Sequence, residues 1–184
     1  MAVNLNKLDA RNFGWYPASP MNYAVAYRPG SNPIAVVVIH VAQAPFTSVI
    51  NWFQNPSAKV STHYTIRASD GYIAQSVRKK DIARHAGNPI YNEASIGIEH
   101  EGYVDDATSF TEAMYRSSTK LTAYLAHKYG ILVDRRHIIG HDEVPNLRKP
   151  GQYGGVNGHR DPGPHFDWEK YMSYIYTFLN GSTM

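Results

Sequence analysis

Histidine supplies most of the chemistry this sequence can offer. The chain carries nine histidines and no cysteine, which excludes thiol nucleophiles, thiolate metal ligands and disulfides, and with them zinc-finger and papain-like readings. Three places stand apart because each ends an apolar run or sits beside a turn. His40 closes Val36-Val-Val-Ile39, His141 follows Ile138-Ile-Gly140, and His159-Arg-Asp161-Pro-Gly-Pro164 sets a histidine and a carboxylate against a rigid turn. Neutral imidazoles with one carboxylate can fill three tetrahedral positions around zinc and leave the fourth to water. Without sulfur, N/O ligation suits zinc best among the common metals. Residue types alone admit a second reading equally well, polar side chains where strands exit to solvent.

Other motifs fall away. His100-Glu101 begins like the helical zinc-protease signature, but Val104 stands where the second histidine must be. There is no G-x-S-x-G, so a serine nucleophile on an elbow has no support. Gly151 to Gly158 is glycine-rich without a following Lys-Ser/Thr, so it is no phosphate loop and reads as a flexible excursion. His100, His127 and His137 carry no distinguishing context, and His165 reads as a surface histidine. Asp142 and Glu143 read as capping a short segment after His141.

The elements that must position these residues alternate in type. Ile34–Ile39, bounded by Pro33, suits a buried central strand. Phe46–Phe53 suits a short helix stopped by Asn55-Pro56. His63–Arg67 and Tyr72–Val77 flank Asp70-Gly71, a hairpin signal. Ser95–His100 alternates like a further strand. Thr111–Tyr129 reads as a helix with Thr111 at its N-cap and Gly130 behind it. A second helix follows Asp167, with Trp168, Tyr171, Met172, Ile175, Phe178 and Leu179 forming a buried stripe. Mixed strands and helices predict a single α/β domain, a mixed central β-sheet flanked by helices with the ligand-bearing strand ends meeting at one edge of a cleft. Residues 1–33 show no sustained period and read as an irregular N-terminal segment packed on a domain spanning 34–184.

The 184 residues suit one domain able to bury its core without staples. A net charge of +3 is far short of a nucleic-acid footprint, and 14 Tyr, 6 Phe and 3 Trp exclude a disordered chain. The longest apolar run, Ile34–Val41, is too short to span a membrane. The N-terminus lacks the charged and apolar regions of a secretory signal. A monomer is expected.

Six blocks taken in order carry a family resemblance: Val36-Val-Val-Ile-His40, Ser61-Thr-His-Tyr64, Arg84-His-Ala-Gly87, Asn92-Glu-Ala-Ser-Ile-Gly-Ile-Glu99, Gly140-His141 and His159-Arg-Asp-Pro-Gly-Pro164. The set resembles the zinc-dependent N-acetylmuramoyl-L-alanine amidases of the type-2 family, which includes phage amidase lysozymes and animal peptidoglycan recognition proteins. The resemblance implies Zn2+ held by His40, His141 and Asp161, with Glu99 as general base and His159 supporting the transition state. It places His63 and His85, with Tyr64 and Asn92, lining or bracing the substrate cleft. Phage members carry a tyrosine where this chain has Thr62, which shifts the base role onto Glu99. The stretch Leu147–Gly158 is longer than usual for the family.

The implied reaction is hydrolysis of the amide between N-acetylmuramic acid and the L-alanine of the peptidoglycan stem peptide, by an enzyme acting on the cell wall as an endolysin or autolysin, or by a cytoplasmic recycling enzyme. Two other classes compete: a peptidoglycan-binding module without catalysis, and a zinc peptidase acting on wall peptides. Asp161 and Glu99 favour the enzyme, because a binding module would have lost a ligand. Trp15, Tyr16, Tyr23 and Tyr27 could stack sugars along a groove or simply cover the sheet.

Overall fold

The computed structural model describes residues 12–181. A six-stranded sheet in the order β1-β5-β4-β7-β3-β8 forms its centre. The strands are β1 (Phe13–Trp15), β3 (Val36–Val41), β4 (Tyr64–Ile66), β5 (Ile73–Gln75), β7 (Ser95–His100) and β8 (Ile138–Gly140). β4, β7, β3 and β8 run parallel, and β5 and β1 run against them. A small ribbon pairs β2 (Tyr23–Ala24) with β6 (Ile82–Ala83). The helices are α1 (Phe46–Gln54), α2 (Pro89–Ala94), α3 (Glu112–Tyr129) and α4 (Trp168–Leu179).

Side chains alternate across a pleated strand, and that alternation decides which face each residue serves. Val37 and Ile39 of β3, Tyr64 and Ile66 of β4, Ile96 and Ile98 of β7, and Ile138 of β8 bury against Met114, Leu121 and Leu125 of α3 and Tyr171, Ile175 and Phe178 of α4. The intervening residues face the other way. Val38 and Ile139 meet Ala86 and Val144 in a separate small cluster, and Phe46 and Ile50 of α1 cover Ala74. His40 and Glu99 share this second face as direct register partners on β3 and β7. One face is therefore closed by two helices, and the other is left partly open for a site.

Both long helices start as their sequences predict. The Thr111 hydroxyl accepts from Met114 N at the start of α3, and the Asp167 carboxylate accepts from Lys170 N at the start of α4. Gly130 ends α3 in the left-handed region at φ 68°, where a side chain would be strained. Asp70-Gly71 does turn β4 into β5.

The N-terminal segment differs from expectation. Residues 1–11 lie outside the described residues, but 12–33 are not simply irregular. β1 adds an edge strand beside β5, and β2 pairs with β6. Arg28 anchors this stretch: its buried guanidinium donates to the carbonyls of Glu93, Ser95, Lys79 and Asp81. Strands of two or three residues leave too little alternation to read, and their pairing depends on partners some 60 residues away.

Candidate metal centre and cleft

His40 comes from the C-terminal end of β3, and His141 from the turn that follows β8. Asp161 comes from the loop leading to α4. The three are buried, and their ligand atoms lie within 4.8 Å of one another. His40 Nδ1 stands 3.1 Å from His141 Nδ1 and 3.3 Å from Asp161 Oδ2, and His141 Nδ1 stands 3.2 Å from Asp161 Oδ1. Two imidazole nitrogens and a carboxylate converging in a buried space form a donor set made for a cation. Burial, with the neighbouring His141, lowers His40 to about 4, so its ring is neutral near pH 7. Burial alone would raise the Asp161 carboxyl, but the facing His141 and His40 imidazoles hold it below the usual carboxylate range.

The cluster opens into a cleft of about 790 Å³. Glu99 lines it from β7, beside His40, with burial and then the Asp161 charge raising its carboxyl well above the ordinary glutamate range. His159 stands at the rim, its ring stacked on His141 with centroids 4.3 Å apart and its Nδ1 3.7 Å from Asp161 Oδ1. Its side chain is 46% exposed, and desolvation followed by the His141 charge lowers its pKa. The opposite wall is apolar and comes from α1, where Val49 and Phe53 line the cleft and Trp52 is 51% exposed. Thr62 lines the cleft too, its hydroxyl donating to Tyr64 O. Arg84, Asn157 and Arg160 complete the rim.

The remaining predicted site residues separate into supports and core. His85 is buried between His40 and Ser95 and lines the cleft floor. Burial and then the neighbouring His40 push its pKa well below the usual histidine value. Asn92 braces the loop before it, with Oδ1 accepting from His85 N and Ala86 N. His63 lies deeper, its Nδ1 accepting from Gly97 N and its Nε2 facing Arg28 and the Asp81 carbonyl.

Tyr64 requires correction as a substrate contact. It is fully buried in the core under α3 and α4, because residues adjacent along a strand face opposite ways and His63 takes the cleft side. Its hydroxyl has no hydrogen-bond partner among the described residues, a state that costs about 1–3 kcal/mol. Tyr64→Phe is therefore expected to leave turnover unchanged and to hold or raise the melting temperature. Thermal unfolding alongside an activity assay checks both, and a drop in turnover would return Tyr64 to the site.

Of the two roles open to the N-terminal aromatics the groove finds no support, and one further expectation changes. Trp15, Tyr16, Tyr23 and Tyr27 do not line the cleft; Tyr16 packs edge-on to Phe46 and Tyr72. The glycine-rich stretch 151–158 is no loose excursion, since Val156 N donates to Gly87 O and Gly155 N to Val144 O. Gly155 sits at φ +61°, and a Cβ there would come within 2.3 Å of Ala86 O. Only glycine lets this loop dock so closely. Sequence reasoning missed α1's contribution: the adjacent aromatics Trp52-Phe53, which a helix must turn in different directions, were the available signal. Glu143 caps as expected, accepting from Gly140 N.

Comparison with known proteins agrees with this geometry. Residues 30–164 match the family model described as N-acetylmuramoyl-L-alanine amidase. N-acetylmuramoyl-L-alanine amidase A of Achromobacter lyticus is 38% identical over 176 residues, covering 91% of this chain and 93% of that protein. The 1,6-anhydro-N-acetylmuramyl-L-alanine amidase AmpD of Haemophilus influenzae is 31% identical over 172 residues, covering 80% and 86%. Among solved structures, a selenomethionine derivative of AmpD superposes with a TM-score of 0.68 at 27% identity, covering 95% of this chain and 99% of that one. Family match, overall fold and a converged His–His–Asp cluster agree, and the chain belongs to the N-acetylmuramoyl-L-alanine amidase family.

Proposed function

We propose that His40, His141 and Asp161 hold zinc and that this enzyme hydrolyses the amide joining N-acetylmuramic acid to the L-alanine of the peptidoglycan stem peptide. The observation that carries the reading is the placing of a proton-accepting carboxylate, Glu99, in register beside a buried three-ligand cluster, within one open cleft. When bound, zinc acts as a Lewis acid on the scissile carbonyl and makes water a usable nucleophile at neutral pH. Glu99 takes the proton from the attacking water and passes it to the L-alanine nitrogen as the carbon–nitrogen bond breaks. The strand backbone holds Glu99 in place, and its burial keeps its basicity high. His159, at the rim, donates a ring N–H to the developing oxyanion. The α1 wall offers the flat, half-exposed ring of Trp52 to a sugar or an apolar stem residue.

The complete ligand set and the retained Glu99 favour catalysis over simple wall binding. Digestion of purified cell wall, with products identified by mass, tests the reading. Expected products are stem peptides with a free L-alanine amino group and glycan carrying unmodified lactyl groups, with release abolished by a chelator and restored by zinc. Cleavage within the peptides instead would assign a peptidase. Wall binding without any cleavage by the zinc-loaded protein would assign a binding module.

A further inference from the structure

We propose that Ser95 is a positioning residue for the metal centre, its hydroxyl fixing the tautomer of His85 and, through His85, that of His40. The proposal rests on the reading of His40 as a ligand, and it follows from donor and acceptor types alone. The Ser95 hydroxyl lies against the Tyr91 carbonyl oxygen. Of these two oxygens only the hydroxyl carries a hydrogen, so Ser95 donates there. What Ser95 Oγ turns toward His85 Nε2, 3.2 Å away, is therefore a lone pair. His85 must carry its proton on Nε2, which leaves Nδ1 bare. His40 Nε2 approaches that bare Nδ1 at 2.9 Å, so His40 donates from Nε2. Its other nitrogen, Nδ1, is left as a lone pair among the ligand atoms of His141 and Asp161.

The chain of bonds starts at Tyr91 in α2, passes through Ser95 at the start of β7 and His85 after β6, and ends at His40 near the end of β3. The surrounding structure holds the His85 ring and backbone in place. Gly97 leaves room for the His85 ring: a Cβ there would lie 2.7 Å from His85 Cγ. Asn92 clamps the His85 backbone. The two rings meet edge to face, with 90° between their planes. Ser95, itself fully buried, is the residue that makes the relay directional, because an apolar residue there would let the His85 proton sit on either nitrogen. With the proton on Nδ1, His85 would force His40 to turn its lone pair away from the metal.

Long-range 1H–15N correlation spectra of the metal-free protein read each tautomer directly, without zinc itself imposing the His40 tautomer. His85 is expected with a protonated Nε2 and a bare Nδ1; the opposite pattern overturns the proposal. Ser95→Ala should mix the His85 tautomers and weaken zinc affinity, measured by competition with a chromogenic chelator, by about 10- to 100-fold, the cost typical of losing a group that orients a ligand. Ser95→Thr, which keeps the hydroxyl, should restore both readouts. Unchanged zinc affinity in Ser95→Ala beside tight binding by the parent protein would refute the relay alone. Failure of the parent protein to bind zinc would instead remove the metal reading beneath it. Should Ser95→Ala not fold, the parent spectrum still decides.

Discussion

Glu99→Gln is expected to keep its zinc and lose its reaction, with kcat falling about 10²–10⁴-fold, the range general acid–base groups supply. Glutamine matches glutamate in shape but cannot accept a proton. The competing role, an outer group that merely orients a ligand histidine, finds little room in the structure. His40 already spends Nε2 on His85, and Glu99 makes no hydrogen bond to either ligand histidine among the described residues. Metal analysis together with kcat separates the roles: activity and zinc lost in parallel would make Glu99 a ligand support.

The raised pKa of Glu99 adds a pH signature to that prediction. A base works only when ionised, so the rate of the zinc-loaded enzyme falls as pH drops through the Glu99 pKa. The sign for stability runs the other way. A carboxyl whose folded pKa is raised binds its proton more tightly in the folded state than in the unfolded one. In metal-free protein, folding therefore weakens as pH rises above the unfolded glutamate value, about 4.3. Metal-free Glu99→Gln is expected to melt higher than its parent at pH 7 and no higher at a pH below the ordinary carboxylate range. A mutation that lowers activity while raising stability marks a residue kept for chemistry.

The sequence shows the parts of this molecule that depend on near neighbours. β3 and β7 announce themselves as short β-branched runs, and α3 and α4 carry apolar stripes with a capping residue at the first position. The Asp70-Gly71 turn needs only its own backbone. The three residues proposed as metal ligands were legible by type, and their grouping was legible through the resemblance of ordered motifs; spacing alone could not bring together residues 40, 141 and 161. β1, β2 and β6 were not legible, since two or three residues have no period and their pairing is decided by distant partners.

Tyr64 and His63 illustrate the finer failure. A motif marks both as near the site, but a strand turns successive side chains to opposite faces, so one braces the cleft floor and the other fills the core. The Ser95–His85–His40 chain was beyond sequence reading for a related reason. Each member sits in a different motif, and only their hydrogen bonds show that one residue governs the next. The docked loop at 151–158 is hidden from the sequence because glycine there permits close backbone approach rather than freedom.

Asp161→Ala is the sharper test of the centre as a whole. Removing one of three ligands leaves two imidazoles, which hold a divalent ion poorly, so the expected result is loss of bound zinc and a fall in kcat beyond the hundred- to thousand-fold, about 3–4 kcal/mol, that removal of one charge-stabilising group costs. The carboxylate also accepts from the buried Val41 N at 3.3 Å, and deleting it leaves that N–H without a partner, at about 1–3 kcal/mol. Metal-free Asp161→Ala should accordingly melt below the metal-free parent, the opposite of Glu99→Gln. The apolar wall of α1 and the rim of Arg84 and Arg160 are untouched by the change, so sedimentation with insoluble wall should persist. An enzyme reduced to a wall-binding protein by one substitution would locate catalysis in the cluster and recognition in the cleft around it. Full activity in Asp161→Ala would mean that the reaction does not depend on these three side chains acting together.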